Sequence, residues 1–175
     1  MKLVLVESPF AGWGQTEIER KACEQANTEY ARRCMADCLK RGEAPYASHL
    51  LYTQDHVLDD DVPEERKLGI EAGLCWGAKA AKSVVYIDRG FTKGMAKGLR
   101  RTFDDGREFE LRTHPLYTDV SKILIAYYLY SGRRPADPRS DPAYYQAKND
   151  THSTLLSASS EFEGDIVDFL SYLQN

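Results

Sequence analysis

Two short apolar runs constrain the fold of this chain more than any other feature. Residues 3–6 read LVLV and residues 84–87 read VVYI, and each run is followed by a loop and then by a stretch with helical spacing. Strands with this uniform apolar character are covered on both faces, as in parallel sheets flanked by helices. The alternation of strand and helix therefore predicts a doubly wound α/β fold with right-handed crossovers.

The segments between these runs predict helices with defined ends. From Thr16 to about residue 41, apolar and small residues recur every fourth position. Thr16 with Glu19 forms a predicted capping box at the start of this helix, and Gly42 marks its end. We predict further strands at residues 45–51, 83–88 and 108–114, and further helices at residues 63–81 and from the loop after residue 88 to about residue 104.

The chain is predicted to form one main domain with an extension. At 175 residues it is long enough to bury a substantial core. We assign residues 1–132 to a Rossmann-like three-layer sandwich with a central, mostly parallel sheet, and residues 133–175 to a C-terminal arm and helix. Residues 117–130 predict a strongly apolar helix. The apolar stripe at residues 166–173 of the final helix either closes the core or forms a homo-oligomer contact.

Charge and composition argue against several classes of protein. The net charge is −4 and the sequence contains no dense Lys/Arg block, which disfavours nucleic acid and anionic membranes as partners. No apolar run approaches the roughly 20 residues of a membrane span. The four cysteines lack paired zinc-ligand spacing and favour buried free thiols, and the acids at residues 59–61 favour a solvated turn. We expect a soluble, cytoplasmic protein without a metal or a cofactor.

Polar and glycine residues follow three of the predicted strands, at the point where each strand ends. Ligands of open parallel sheets bind beyond the carboxyl ends of the strands, near the point where the strand order reverses. We therefore predict a binding site at this edge. Its predicted wall residues are Ser8, Pro9, Phe10, Tyr46, His49, Gly90, Thr92, Gly94 and Met95, and its acids are Glu7 and Asp88.

Parts of this predicted site have two interpretations. The turn at residues 90–94 either offers free helix amides to an anion or is a plain turn in which Thr92 caps the next helix. His49 is either reactive or a hydrogen-bonded wall residue.

The chain has no GxGxxG after its first strand and no GxxxxGK[ST], which argues against conventional dinucleotide binding and P-loop phosphate transfer.

Three glycines repeat at every fourth residue of the predicted helix at 63–81. Gly69, Gly73 and Gly77 each cost a helix about 1 kcal/mol relative to alanine, so they predict a close approach of backbone or ligand. Glu71 lies among them. It is a candidate acid or nucleophile, with a solvent-exposed pair to a neighbouring basic residue as the alternative.

Several segments of the sequence resemble those of a known protein family. These are the first strand ending in ESPF, the helix segment LGIEAGL, the stretch VVYIDRGFTKGMAKGL and the strand after DDGREFE. Over residues 1–114 the chain resembles the nucleoside 2-deoxyribosyltransferase-like group. It is also similar to uncharacterised bacterial and phage proteins that share the ESPF-AG, ASHLLYTQ and EAGL-W phrases.

The resemblance implies chemistry at an N-glycosidic bond. In that group a carboxylate attacks the anomeric carbon of a nucleoside or nucleotide and expels the base through a glycosyl-enzyme intermediate. The residues that match its pocket are Ser8, Pro9 and Phe10, and Asp88 matches its strand-end acid. The group's glutamate falls within residues 95–98, which here read MAKG. The reacting carboxylate is then Glu71 or Glu7, or the pocket only binds its ligand.

Three hypotheses follow for the function. The first is a protein that binds a nucleoside, nucleotide or NAD-derived molecule and cleaves or transfers its N-glycosidic bond, with Phe10 and Tyr46 stacked on the base and Asp88 orienting ribose hydroxyls. The second is a non-catalytic protein that binds or sequesters a nucleotide signal, as a phage protein would. The third is a scaffold that makes its main contact through the C-terminal helix.

Overall fold

A computed structural model describes residues 1–114, 116–117 and 153–158 of the protein. This part of the chain contains one mixed sheet and four helices, and the predicted helices at residues 117–130 and 166–173 lie outside it apart from Tyr117. The elements in chain order are β1 (Lys2–Glu7), α1 (Glu17–Lys40), β2 (Glu43–Tyr46), α2 (Ser48–Leu51), α3 (Pro63–Gly77), β3 (Lys82–Tyr86), α4 (Lys93–Asp104), β4 (Glu108–Thr113) and β5 (Ser153–Ala158).

The sheet has the strand order β2-β1-β3-β4-β5. The first four strands are parallel, and Val6 of β1 lies in register with Val84 of β3. The chain leaves β1 toward one edge of the sheet and continues from β3 toward the other. The strand order therefore reverses between β1 and β3, which is where a doubly wound sheet opens a crevice at its carboxyl edge. The predicted Rossmann-like α/β architecture is confirmed.

The fifth strand is a feature that the sequence analysis did not predict. Ser153–Ala158 pairs with β4 in the antiparallel direction, with a register irregularity between Leu111 and Arg112. The strand lies within the segment that the sequence analysis assigned to the C-terminal arm. The sheet is thus mostly parallel, with an antiparallel strand beside β4.

The first long helix covers one face of the sheet. Val4 and Val6 of β1 pack with Tyr30, Cys34 and Cys38 of α1 in the main apolar cluster. Capping by Thr16 and Glu19 begins the helix as predicted, since the Thr16 hydroxyl accepts the Glu19 amide and the Glu19 carboxylate accepts the Thr16 amide. The local capping signal therefore predicts the start of α1 correctly.

The opposite face carries α3 and α4, which pack tightly on the strands. A Cβ atom on Gly77 would lie 3.1 Å from Leu5 Cδ2. One on Gly73 would lie 2.8 Å from Ser48 Cβ, and one on Gly69 would lie 3.2 Å from Leu58 Cδ1. The glycine repeat therefore lets α3 approach side chains of β1, α2 and the preceding loop closely.

Two predicted element boundaries are wrong. Residues 48–51 form α2 instead of extending the second strand, and α3 ends at Gly77, four residues before the predicted end. No helix in the described part of the chain is long and apolar enough to cross a membrane. All four cysteines are free, as predicted. Cys34 and Cys38 are buried, but the prediction of burial is wrong for Cys75, which is exposed.

Candidate functional site

A cavity of about 580 Å³ lies between α3 and α4, above the carboxyl end of β1. Its volume is within the range of small-molecule sites in proteins. β1 and the residues after it form the floor, the start of α2 closes one end, and α4 forms a long wall. The polar, charged and aromatic lining residues that matter for its chemistry are Glu7, Ser8, Phe10, His49 and Tyr52, together with Lys93, Lys97 and Arg100.

Glu7 places a carboxyl group on the floor of this cavity, directly against the backbone of α4. A Cβ atom on Gly98 would lie 2.0 Å from Glu7 Oε1, so only glycine leaves room for the carboxyl group. Burial raises the pKa of Glu7 from 4.5 to about 8, although the charge of Arg107 acts to lower it. A carboxyl group that is held in this way exchanges a proton near neutral pH, which suits acid, base or nucleophilic chemistry.

The fit between Gly98 and Glu7 gives a testable prediction. We expect Gly98→Ala to displace the Glu7 carboxyl group toward the open cavity, where better hydration lowers its pKa from about 8 toward its usual value. Gly94→Ala is the matched control, because a Cβ atom there meets only Thr92 Oγ1, at 3.7 Å. An NMR titration of the labelled Glu7 carboxyl carbon measures both. The same titration curve in the two variants would contradict the packing described here.

Ser8 and His49 form a second polar group in the cavity. Ser8 Oγ lies 2.9 Å from His49 Nε2, and the Phe10 ring lies 6.1 Å from the imidazole between ring centroids. Burial lowers the pKa of His49 from 6.5 to about 4, so the ring is neutral at physiological pH. His49 is thus a hydrogen-bonded wall residue that presents a neutral ring, and Phe10 adds an aromatic surface beside it.

The turn before α4 is a helix cap. The Thr92 hydroxyl accepts the Met95 amide at 3.3 Å, and the Thr92 amide contacts Met95 Sδ at 3.5 Å. Thr92, Gly94 and Met95 line the cavity, but Gly90, with φ of +96°, does not. The N-cap interpretation of this turn is therefore the one that its hydrogen bonds support.

Four other predicted site residues lie outside the cavity lining. Asp88 accepts hydrogen bonds from the Tyr30 hydroxyl and from the backbone amide of His114, at 2.9 Å for Oδ2. Glu71 is exposed and lies 3.8 Å from Lys67 Nζ, which was its surface alternative. The two remaining residues are Pro9 and Tyr46, and the Tyr46 ring packs on Trp76.

Two sets of cavity residues were not among the site residues predicted from the sequence. Tyr52 follows α2 and adds an aromatic wall that the strand assignment of residues 48–51 concealed. Lys93, Lys97 and Arg100 recur at helical spacing along α4, a pattern that was visible in the sequence as one cationic face. No group of three or more potential metal ligands converges within the described ranges.

The fold and the cavity together define an α/β protein with a cavity at the carboxyl edge of a doubly wound sheet. The chain belongs to the family described as Domain of unknown function (DUF7768), whose model matches residues 2–112. The match extends from β1 through nearly all of β4, so it includes every element that forms the cavity. No curated protein and no solved structure matches the chain.

Proposed function

We propose that the protein binds a nucleoside or nucleotide in this cavity and cleaves or transfers its N-glycosidic bond, with Glu7 as the reacting carboxylate. The observation that carries the proposal is the position of the Glu7 carboxyl group, which lies on the cavity floor against Gly98. The α4 segment that resembles the deoxyribosyltransferase-like group contains no acid at residues 95–98. Glu7 supplies a carboxyl group from β1 beside that same segment.

The chemistry of the proposed reaction uses two half-reactions. Glu7 Oε attacks the anomeric carbon, the bond from that carbon to the base nitrogen breaks, and the base leaves with the electron pair and takes a proton from water. The resulting glycosyl ester is then attacked at the same carbon by water, which releases the free sugar, or by a second base, which forms a new nucleoside. In either case the attacking group loses a proton to solvent and the Glu7 carboxylate is restored. Phe10 offers the aromatic face on which a base stacks, while Asp88 and Tyr46 have no part in this version of the site.

Release of a free base is the expected result when the protein is incubated with a panel of ribo- and deoxynucleosides, their phosphates and NAD. Because the attacking group is the ionised carboxylate, the rate of release should rise with pH up to about 8, the pKa of Glu7, and then level off. Chromatography of the products at several pH values measures both features. A rate that instead falls above pH 8 would make Glu7 a proton donor and contradict the nucleophilic role.

Absence of base release has its own interpretation. If no compound in the panel loses its base but one of them raises the melting temperature, the glycosidic chemistry is wrong and the protein is the non-catalytic nucleotide binder. The Ser8–His49 pair, the neutral imidazole and the aromatic walls are compatible with that second function. Measurements of base release and of melting temperature on the same panel therefore separate the two functions.

A further inference from the structure

The α4 wall of the cavity is cationic along its length, whereas the chain as a whole carries a net charge of −4. Lys93, Lys97 and Arg100 occupy positions i, i+4 and i+7, so their side chains leave the helix on one face. All three line the cavity. This charge is thus concentrated beside the cavity and does not reflect a generally basic protein.

These three cations differ from the other basic residues around the cavity. Arg66 pairs with Asp60, and Arg101 Nε lies 2.9 Å from Asp105 Oδ1. Within residues 1–114, by contrast, Lys93, Lys97 and Arg100 form no ion pair and no side-chain hydrogen bond. Their charge is available to a ligand in the cavity.

The length of the cationic row limits what the ligand can be. Residues 93 and 100 are separated by about 10 Å along the helix axis, at about 1.5 Å per residue. Neighbouring members of the row are one turn apart, with about 5–6 Å between their Cβ atoms. A single phosphate group spans one such step, whereas a chain of two or three phosphates extends along the row and contacts all three side chains.

The rest of the α4 surface allows a ligand to lie along this wall. Gly94 presents no side chain, and a Cβ atom there would meet only Thr92 Oγ1 within 4 Å. The Glu7 carboxyl group lies against Gly98 of the same helix. A sugar placed at Glu7 therefore shares the cavity with Lys93, Lys97 and Arg100.

We propose that this site takes a ligand with a phosphate chain, namely a nucleoside di- or triphosphate or a dinucleotide joined by a pyrophosphate, whose phosphates bind Lys93, Lys97 and Arg100. The inference rests on the proposed function for the position of the sugar at Glu7. The phosphate-binding role of the row is separate, because it depends on α4 alone.

The test uses inorganic phosphate, pyrophosphate and tripolyphosphate as probes, so that no base needs to be known. Isothermal titration at constant ionic strength should show pyrophosphate and tripolyphosphate binding at least about tenfold more tightly than phosphate. Lys97→Met and Arg100→Met should each weaken pyrophosphate binding about tenfold, because each removes a charge-assisted contact. Lys79→Met is the matched control, since Lys79 is an exposed cation outside the cavity, and it should leave the affinity unchanged.

Each outcome of this experiment bears on one hypothesis. Equal affinity for phosphate and pyrophosphate, or equal loss in Lys97→Met and Lys79→Met, would overturn the phosphate-chain inference. No measurable binding of pyrophosphate would overturn it as well. Pyrophosphate binding that persists in Glu7→Gln supports the cationic row whether or not bases are released, while failure of base release in the wild-type protein affects only the glycosidic function.

Discussion

Glu7→Gln should abolish base release and at the same time stabilise the protein in alkaline solution. The catalytic loss should be at least about a hundredfold, because an amide neither attacks carbon nor exchanges a proton. The gain in stability arises because the native state holds the Glu7 carboxyl group where its charge is poorly hydrated. The wild-type protein must either keep the proton or ionise the group in that environment.

The direction of the pH effect follows from the two pKa values. Glu7 titrates near 4.5 in the unfolded chain and near 8 in the native state, so the native state binds more protons between these values. The free energy of unfolding of the wild-type protein therefore falls as pH rises from about 4.5 to 8. Glutamine does not titrate, so the variant should gain up to a few kcal/mol relative to the wild type, with the full difference reached above pH 8.

Urea denaturation at pH 5 and pH 8.5 measures this difference, and Glu71→Gln is the matched control. Glu71 is an exposed acid of α3 that pairs weakly with Lys67, and its replacement should change neither stability nor base release appreciably. If Glu7→Gln loses stability at pH 8.5, the carboxyl group contributes to the fold as a charged group. A role in holding the structure would then replace the functional role argued for it.

The sequence predicted the layers of the fold because their signals are local. Thr16 and Glu19 cap α1 through hydrogen bonds that span three residues, and Pro63 begins α3 at the position that suits its fixed φ. The apolar runs of β1 and β3 are sufficient by themselves to predict strands that are buried on both faces. Such features require no knowledge of distant parts of the chain.

The parts of the fold that the sequence did not predict depend on long-range contacts. Residues 48–51 carry an apolar pair that suits a strand or a short helix, and packing of Ser48 against Gly73 accompanies the helix. The strand Ser153–Ala158 is defined by its pairing with β4, about 40 residues away along the chain. A periodicity in one segment contains no information about such partners.

The candidate site shows the same division. Glu7 and Phe10 were predicted from the position of the first strand end, and both line the cavity. Glu71 was predicted as a candidate acid or nucleophile because it lies within a glycine repeat. Those glycines face Ser48, Leu58 and Leu5, whereas Glu71 lies on the solvent side of the helix. The contact of Glu7 with Gly98 joins residues 91 positions apart in the sequence, so it becomes visible only when α4 is packed on β1.

Four charged residues form a network on the sheet: Arg112, Lys82, Glu43 and Glu110. Arg112 of β4 is almost completely buried and donates two hydrogen bonds of 2.7 Å to the Glu43 carboxylate and further bonds to Glu110. Lys82 Nζ lies 2.8 Å from Glu43 Oε1 and also pairs with Glu110. Burial acts to raise the pKa of Glu43, but the hydrogen bonds from Arg112 and Lys82 outweigh it and lower the pKa to about 2.

Arg112→Met should lower the free energy of unfolding by about 3–5 kcal/mol, because it leaves the buried Glu43 carboxylate and the partly buried Glu110 carboxylate to share Lys82. The variant should also lose stability less steeply on acidification. In the wild type, the ionised Glu43 stabilises the fold above its unfolded pKa of 4.5, and this contribution is lost as pH falls toward about 2. Urea denaturation at pH 7 and pH 3.5 measures both effects.

Arg33→Met separates burial from charge in this prediction. Arg33 also forms an ion pair, with Arg33 Nη2 2.6 Å from Glu29 Oε1, but both side chains of that pair are largely exposed on α1. Its replacement should cost less than about 1 kcal/mol, since solvent already hydrates both charges. Equal losses in the two variants would mean that removal of an arginine as such, and not the loss of the Arg112 contacts to Glu43 and Glu110, accounts for the effect. The expected difference arises because Arg112 is almost completely buried and pairs with carboxylates that are far less exposed than Glu29.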